Sequence, residues 1–501
     1  MNAPRGRALW RLPPLPARTR AGRLMLPITF QNALTITLLA ALLSLGACSS
    51  APPLRLYTPA LAPSFANAPA GAASLSAAAS AAEPPARFWQ GFHDPLLDSL
   101  MQRALAANAD IRTALARLNE YRALAGLAQA NLLPSVDLAL GAAQLRQRDA
   151  FGAPQTLRAY SAGFDVLWEA DLFGRLGDAR RAALADVRAG EAGMDAARLS
   201  VSAAVARSYF ELRGWQEQLR VARASLQTQS QVLELVSARE QVGRGTALDT
   251  ERARALRDTT AADVPALESS LIGVRYRLAV LCGVQPTALD GELEAARPLP
   301  GLAPVQLSAI GSPASLLRRR PDIRIAEAQA AAAAAQAGVA RSALFPGLTL
   351  SGSLGQNALS AGDLAKGVSY AYNLGAQLTW NLLDFGRIRA RIAAADARNE
   401  GVIAAFEGTL LAALAETEGA LADYSRRQQQ AALLYEATRA TEQAALIARE
   451  RFQVGSSDFL TVLDAERELL AARNRLALAQ TGAATSLVAV YKALAGGWPQ
   501  P

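Results

Sequence analysis

Histidine occurs once and cysteine twice in the 501 residues. A Cys/His metal cluster cannot be assembled from that inventory, and His93 is the sole histidine available to a Ser-His-Asp arrangement. The sequence also lacks G-x-x-x-x-G-K-[ST], G-x-G-x-x-G and G-x-S-x-G, so the phosphate cradles and the nucleophile elbow of common enzyme classes are missing. His93, beside Asp94 and Pro95, reads as a residue at a helix start. We therefore expect no enzyme, no cofactor and no metal site.

Aromatic residues make up only 6% of the chain while alanine is abundant, a composition that suits close-packed long helices better than a sandwich or an open α/β sheet. Proline is absent from Arg175 to Val242, a mostly helical stretch of 68 residues, far longer than a globular domain needs. Acids are absent from residues 1–47, where Arg5, Arg7, Arg11, Arg18, Arg20 and Arg23 lie. Those six account for most of the formal charge of +8, so the basic excess belongs to the leader and gives no support to nucleic-acid binding.

The leader continues into an apolar run, Ala33 to Leu45, too short to span a bilayer comfortably, and then Leu45-Gly46-Ala47-Cys48-Ser49. It resembles a bacterial lipoprotein signal. We expect 1–47 to be a signal peptide, Cys48 to carry lipid, and 48–87, rich in Ala, Pro and Ser, to be an extended tether. Cys282 would then be left without a disulfide partner.

What is present begins with a two-faced strand. Tyr160, Ala162, Phe164, Val166 and Trp168 alternate with Ser161, Gly163 and Asp165, and Asp171-Leu172-Phe173-Gly174-Arg175 then opens the long helix. The same junction returns 212 residues later: Tyr372, Leu374, Ala376, Leu378 and Trp380 alternate with Asn373, Gly375, Gln377 and Thr379, followed by Phe385-Gly386-Arg387. Asp110-Ile111-Arg112 maps onto Asp322-Ile323-Arg324 and Val242-Gly243 onto Val454-Gly455 at the same offset, so the chain is two copies of one unit. The expected organisation is a first repeat over 88–283, a mid-height connector over 284–320 and a second repeat over 321–498.

Each repeat offers one hairpin. In the first, Val136 to Ala142 alternates, a loop is expected over Gln144 to Ala159, and the four strands of the chain should run roughly nine residues each. Four strands cannot close a barrel and open edges are not tolerated in lipid, so several chains must contribute; a trimer would supply twelve. Tyr160 and Tyr372 at one end of the strands and Trp168 and Trp380 at the other read as two interfacial girdles. Helices are expected over Ala109 to Leu132, Thr246 to Leu281, Asp322 to Leu344, Arg387 to Val454 and Asp458 to Leu494. The lengths suggest that Thr246 to Leu281 and Asp322 to Leu344 stack end to end along the first long helix, with Asp458 to Leu494 and Ala109 to Leu132 along the second. Leu212, Leu219, Leu226 and Leu233 recur every seven residues as a buried seam would.

Several motifs together resemble the TolC-like outer-membrane efflux proteins, of the lipidated type that serves resistance-nodulation-division pumps: Trp168 to Arg175, Arg207 to Arg213, Leu317 to Ile323, the turn from Gly455 to Arg467, and Tyr491 to Trp498. The resemblance implies a homotrimer with a β-barrel pore in the outer-membrane lipid and an α-helical barrel in the periplasm. It also implies docking to a periplasmic adaptor and an inner-membrane pump, with the chain as passive exit duct. An exit duct for type I protein secretion and a structural coiled-coil lipoprotein are the competing readings. The turns at the far ends of the long helices (Val242, Gly243, Gly245; Val454, Gly455, Ser456) are the candidate adaptor-docking residues. Leu460, Asp464 and Arg467 fall on the family's gating positions; a surface pair between Asp464 and Arg467, with Leu460 in an ordinary helix seam, is the alternative. Arg318 to Arg320, the densest basic cluster, reads as structural.

Overall fold

The computed structural model describes residues 56, 60–67, 87–148, 150–299, 312–364, 366 and 370–495. The signal peptide, Cys48 and Gly496 to Trp498 lie outside the described residues. The longer helices are α1 (Pro95–Ala107), α2 (Ala109–Ala130), α3 (Arg175–Gln241), α4 (Ala247–Leu281), α5 (Pro321–Ser342), α6 (Arg387–Gln453) and α7 (Phe459–Ala493). The strands are β1 (Ser135–Arg148), β2 (Pro154–Ala170), β3 (Gly347–Ala358) and β4 (Tyr370–Thr379). The bounds of α2, α3 and α4 reappear in α5, α6 and α7 at the offset of 212. At 1.5 Å per residue, each 67-residue helix runs about 100 Å.

The strands form one antiparallel sheet in the order β1-β2-β3-β4, and the β3–β4 register repeats the β1–β2 register: Ser135 pairs with Leu167 as Gly347 does with Thr379. The expected loop over Gln144 to Ala159 is mostly strand, because pairing continues from Gln144↔Arg158 to Arg148↔Pro154. Loss of apolar alternation does not end a ladder whose bonds are all backbone, and Pro154 occupies a strand's first position, where no N–H is needed. The first hairpin, with strands of 14 and 17 residues, therefore outreaches the second, with 12 and 10.

Where each strand meets its helix, the two halves make the same contact. Trp168 Nε1 donates to Leu132 O (2.9 Å) and Trp380 Nε1 to Leu344 O (3.0 Å), so each tryptophan ties the end of its hairpin to the preceding helix. Asp171 accepts from the N–H of Leu176 and Gly177, and Asp384 from those of Gly386 and Ile388, satisfying first-turn donors of α3 and α6.

The helix stacking differs from the expectation. Nearer the sheet the helices lie side by side as α2, α3, α5, α6; further away the order is α4, α3, α7, α6. The end-to-end partners are thus α4 with α2 and α7 with α5, and α2 packs on α3 rather than α6. Two side chains set this exchange. Asn108 caps α2 by accepting from Asp110 N and Ile111 N, and its amide donates to Leu281 O (2.9 Å) at the end of α4. Arg320, at the equivalent cap of α5, donates to Ala493 O (3.0 Å) at the end of α7. Each junction joins the orphan carbonyls of one helix to the start of another.

Around these junctions sits the main core, at mid-height. Phe88 stacks on Tyr491 (4.9 Å between ring centroids), and Phe92 meets Phe210 edge-on. His93, with positive φ, precedes Asp94, which caps α1 through Leu96 N. Tyr209 donates to Asp94, and the fully buried Arg213 reaches the Tyr209 hydroxyl, Gln216 and Ala295 O. The segment expected as an extended tether is docked where it is described: Phe65 is buried in the core, and Ala66 and Asn67 donate three hydrogen bonds to the Glu418 carboxylate. Burial pushes that carboxyl up, but these bonds hold it below its ordinary value.

Candidate functional site

Far from the sheet, the α3–α4 and α6–α7 turns form the tip. Gly243 and Gly455 both take positive φ after the last helical turn, the conformation that lets a helix end in a tight reversal. Thr246 then caps α4 by accepting from Asp249 N, and Asp458 caps α7 by accepting from Thr461 N. Arg239 ties the turns together: its guanidinium donates to Phe452 O (2.9 Å) and Gln453 O (3.0 Å) and lies 4.2 Å from the Phe452 ring centroid. Val236, Ala253, Phe452, Phe459, Val462 and Leu463 close the core beneath. Val242 and Val454 stay exposed at the apex, as do Gly243, Gly455 and Ser456.

On α7, the residues at one-turn spacing separate by face. Val462, Leu463 and Glu466 point into the helix seam, while Leu460, Asp464 and Arg467 are exposed. Among the described residues Asp464 and Arg467 form no ion pair with each other or with anything else, so the alternative of a surface pair is not what the chain adopts. Glu466 is the residue that the sequence reading passed over. It is buried with Oε1 3.2 Å from Arg449 Nε, and burial pushes its carboxyl up despite Arg449 and Arg473. Its signal in the sequence is a single acid at the core phase of α7, between Leu463 and Leu469.

At the other end, the sheet keeps two unlike faces. Leu138, Leu140, Phe164, Leu354, Leu374 and Leu378 are exposed on one face, although a sheet packed on a protein core would bury them. The opposite face carries Asp137, Ser161, Asp165, Ser351, Asn373 and Gln377, and small residues crowd there: a Cβ on Gly163 would come 2.8 Å from Gly355 Cα. Tyr160, Trp168, Tyr372 and Trp380 all share the apolar face, the tyrosines toward the hairpin turns and the tryptophans toward the helices. Among the described residues no strand lies beside the outer edge of β1 or β4. No helix among the described residues is long and apolar enough to cross a membrane, and no group of His, Cys, Asp or Glu there could hold a metal.

The sequence model described as outer membrane efflux protein matches residues 100–284 and 313–496, two segments that coincide with the two halves. The pyoverdine export outer membrane protein OpmQ of Pseudomonas aeruginosa is 36% identical over 471 residues, covering 92% of this chain and 97% of that protein. The probable efflux pump outer membrane protein TtgC of Pseudomonas putida is 30% identical, over 91% and 93%. Among solved structures, the outer-membrane channel OprN superposes with a TM-score of 0.84 at 33% identity, covering 90% of this chain and all of that one.

Proposed function

Because the chain belongs to the outer membrane efflux protein family and serves as an outer-membrane exit duct, we propose that three copies close into one continuous tube whose far mouth is gated by α7. One observation carries the closure: three contacts that join the first half to the second inside the chain have open counterparts on the outer edges. Phe173 stacks on Phe345 at 4.7 Å, whereas their counterparts Phe385 and Leu133 are both exposed. Arg239 of the first half grips the end of α6, whereas its counterpart Arg451 is exposed. β2 pairs with β3, whereas the outer edges of β4 and β1 have no partner among the described residues.

Transferring the β2–β3 register by 212 residues gives the missing seam. Val166↔Gly352 becomes Leu378 opposite Leu140 of the partner subunit, and Trp168↔Leu350 becomes Trp380 opposite Leu138 of the partner subunit. Repeated three times, this makes twelve strands with the apolar face to lipid, the Gly, Ser, Asn and Asp face to a wet lumen, and no edge left open. The flank of α2 and α4 meets the flank of α6 of the next copy in the same way.

At the tip, six turns ring the mouth. Val242, Gly243, Gly245, Val454, Gly455 and Ser456 present the surface on which a periplasmic adaptor docks, linking the duct to an inner-membrane pump. Leu460 and Asp464, unpaired within one chain, become a ring of three leucines and a ring of three carboxylates, with Arg467 one turn further on. Cys48, lipidated after removal of 1–47, anchors each copy to the outer membrane in addition to the barrel. The cargo is small molecules in solution, as the relatives named for pyoverdine, antibiotic and toluene export suggest.

Single-channel recording of the purified protein in a planar bilayer tests the reading. We expect a passive conductance that trivalent cations block from the tip side. A folded trimer that never conducts, even after the ring at Leu460 and Asp464 is removed, would overturn it.

A further inference from the structure

The first hairpin outreaches the bilayer on the side away from the helices. Strands of 14 and 17 residues exceed the about 9–11 that a tilted transmembrane strand needs. On the apolar face, the residues following Leu138, Leu140 and Ala142 in β1 are Gln144, Arg146 and Arg148; in β2, Arg158 and Thr156 lie beyond Tyr160. The face that is leucine and phenylalanine within the band thus becomes arginine just past the tyrosines. Gln144 pairs with Arg158 and Arg146 with Thr156, so Arg146 and Arg158 are diagonal neighbours about 7–8 Å apart between Cα atoms, with Arg148 next along β1.

Among the described residues these arginines have no acidic partner. Arg148 donates to Gly152 O and Arg158 to the Gln144 amide oxygen, and no described carboxylate pairs with any of the three. The strand acids, Asp137, Asp165 and Glu169, are on the opposite face toward the helices, and Asp363 at the other hairpin turn is bound to Lys366. Asp149 lies outside the described residues. Arginine on a lipid-facing position is costly at the bilayer midplane and nearly free at the interface, which fits a position just past an aromatic girdle. What meets such a position is the headgroup layer.

We infer that Arg146, Arg148 and Arg158 bind the phosphate groups of a phosphorylated glycolipid in the outer leaflet of the outer membrane. Guanidinium forks match phosphate oxygens bidentately, and three in reach of one another suit a headgroup bearing more than one phosphate. The remaining contact rests on the seam proposed above: the transferred register sets Arg146 opposite Tyr372 of the partner subunit, and its continuation brings Arg148 to Tyr370 of the partner subunit. One site per chain then spans each seam, so that lipid would staple neighbouring copies together. The second hairpin offers nothing equivalent, since beyond Tyr372 the described strand residues on its apolar face are Tyr370, Gln356 and Ala358.

Native mass spectrometry of the delipidated protein, titrated with bisphosphorylated lipid A in detergent, tests this. We expect up to three lipids per trimer, and at least about a tenfold loss of affinity in the triple variant Arg146→Gln, Arg148→Gln, Arg158→Gln, with Arg158→Gln alone intermediate. Lys366→Gln should bind as the unaltered protein does, and fully dephosphorylated lipid A should bind poorly to all. Equal binding by the triple variant, equal binding of the dephosphorylated lipid, or displacement by an equimolar amount of inorganic phosphate would each overturn the assignment. If the triple variant does not fold, Arg158→Gln carries the same test. The spectrum reads subunit number separately, so a monomer that still binds one lipid in an arginine-dependent way would contradict the seam and leave the lipid site standing.

Discussion

At the mid-height junctions the two halves of the chain place different side chains at the same position. Asn108 joins α2 to Leu281 O with a neutral amide; Arg320, 212 residues on, joins α5 to Ala493 O with a guanidinium that also binds Asp322 (2.7 Å) and Glu416 (2.5 Å). The tryptophan contacts to Leu132 and Leu344 are duplicated outright. The tip is different again: Leu460 has a counterpart in Leu248, but Asp464 stands where the first half has Arg252, and Arg467 where it has Ala255. Positions that hold the tube together keep their geometry in both halves, and positions at the mouth keep the backbone but change charge. The lesson is that a structural junction can change its side chain while keeping its contact, whereas at the tip the exposed side chains change charge on an unchanged backbone.

The largest effect should come from breaking that asymmetry at the mouth. Leu460→Ala with Asp464→Ala should raise single-channel conductance several-fold, weaken block by multivalent cations and admit vancomycin to cells, while the trimer stays as stable as before. Leu248→Ala with Arg252→Ala, the equivalent pair in the first half, should do much less. Equal effects from the two pairs would show that the mouth is functionally sixfold.

Next in size are the junctions. Arg320 is buried while its partners Asp322 and Glu416 are nearly half exposed and stay solvated without it, so Arg320→Ala should destabilise by roughly 1.5–3 kcal/mol, against about 0.5–2 kcal/mol for Asn108→Ala. Chemical denaturation followed by tryptophan fluorescence compares them. Burial pushes Asp322 up, yet its bond and charge contact with Arg320 hold it below the ordinary carboxylate value. A depressed carboxyl contributes stability above its unfolded value, and that contribution fades as pH falls through the folded one. The gap between Arg320→Ala and the unaltered protein should therefore narrow only below about pH 4.

A smaller contrast lies two residues beyond the two junction carbonyls. Gly283 and Ala495 both hold positive φ after their helices, but only glycine does so without a Cβ penalty. Ala495→Gly should stabilise by about 1 kcal/mol. Gly283→Ala should do the reverse and more, since its Cβ would come 2.7 Å from Ala107 O. Thermal midpoints of the two variants should move in opposite directions.

Much of this was legible in the sequence because it rests on local rules repeated twice. The 212-residue offset, the strand alternation from Tyr160 to Trp168 and the proline-free run from Arg175 place the long helices, and the strand ends nearest them, to within a few residues. Which short helix stacks on which was not legible: lengths fit either pairing, and the choice is made by Asn108 and Arg320, two side chains with no resemblance to each other. The reach of the first hairpin was missed because polar residues carry no periodic signal while their backbones pair as well as any. The docking of 65–67 depends on one phenylalanine and one distant acid, Glu418, in a stretch whose composition reads as linker. On α7, the buried Glu466 shows only once Val462 and Leu463 define the seam.

The claim that three chains close by repeating the internal β2–β3 register at their outer edges can be tested by cross-linking. In a Cys282→Ala background, Leu140→Cys with Leu378→Cys should be joined by a short bis-thiol reagent into covalent trimers in intact outer membranes. Shifting one partner along the strand, with Leu140→Cys and Leu374→Cys, should abolish most of that product. Cross-linking that favours the shifted pair, or a Leu140/Leu378 protein that stays monomeric under the reagent, would contradict the account.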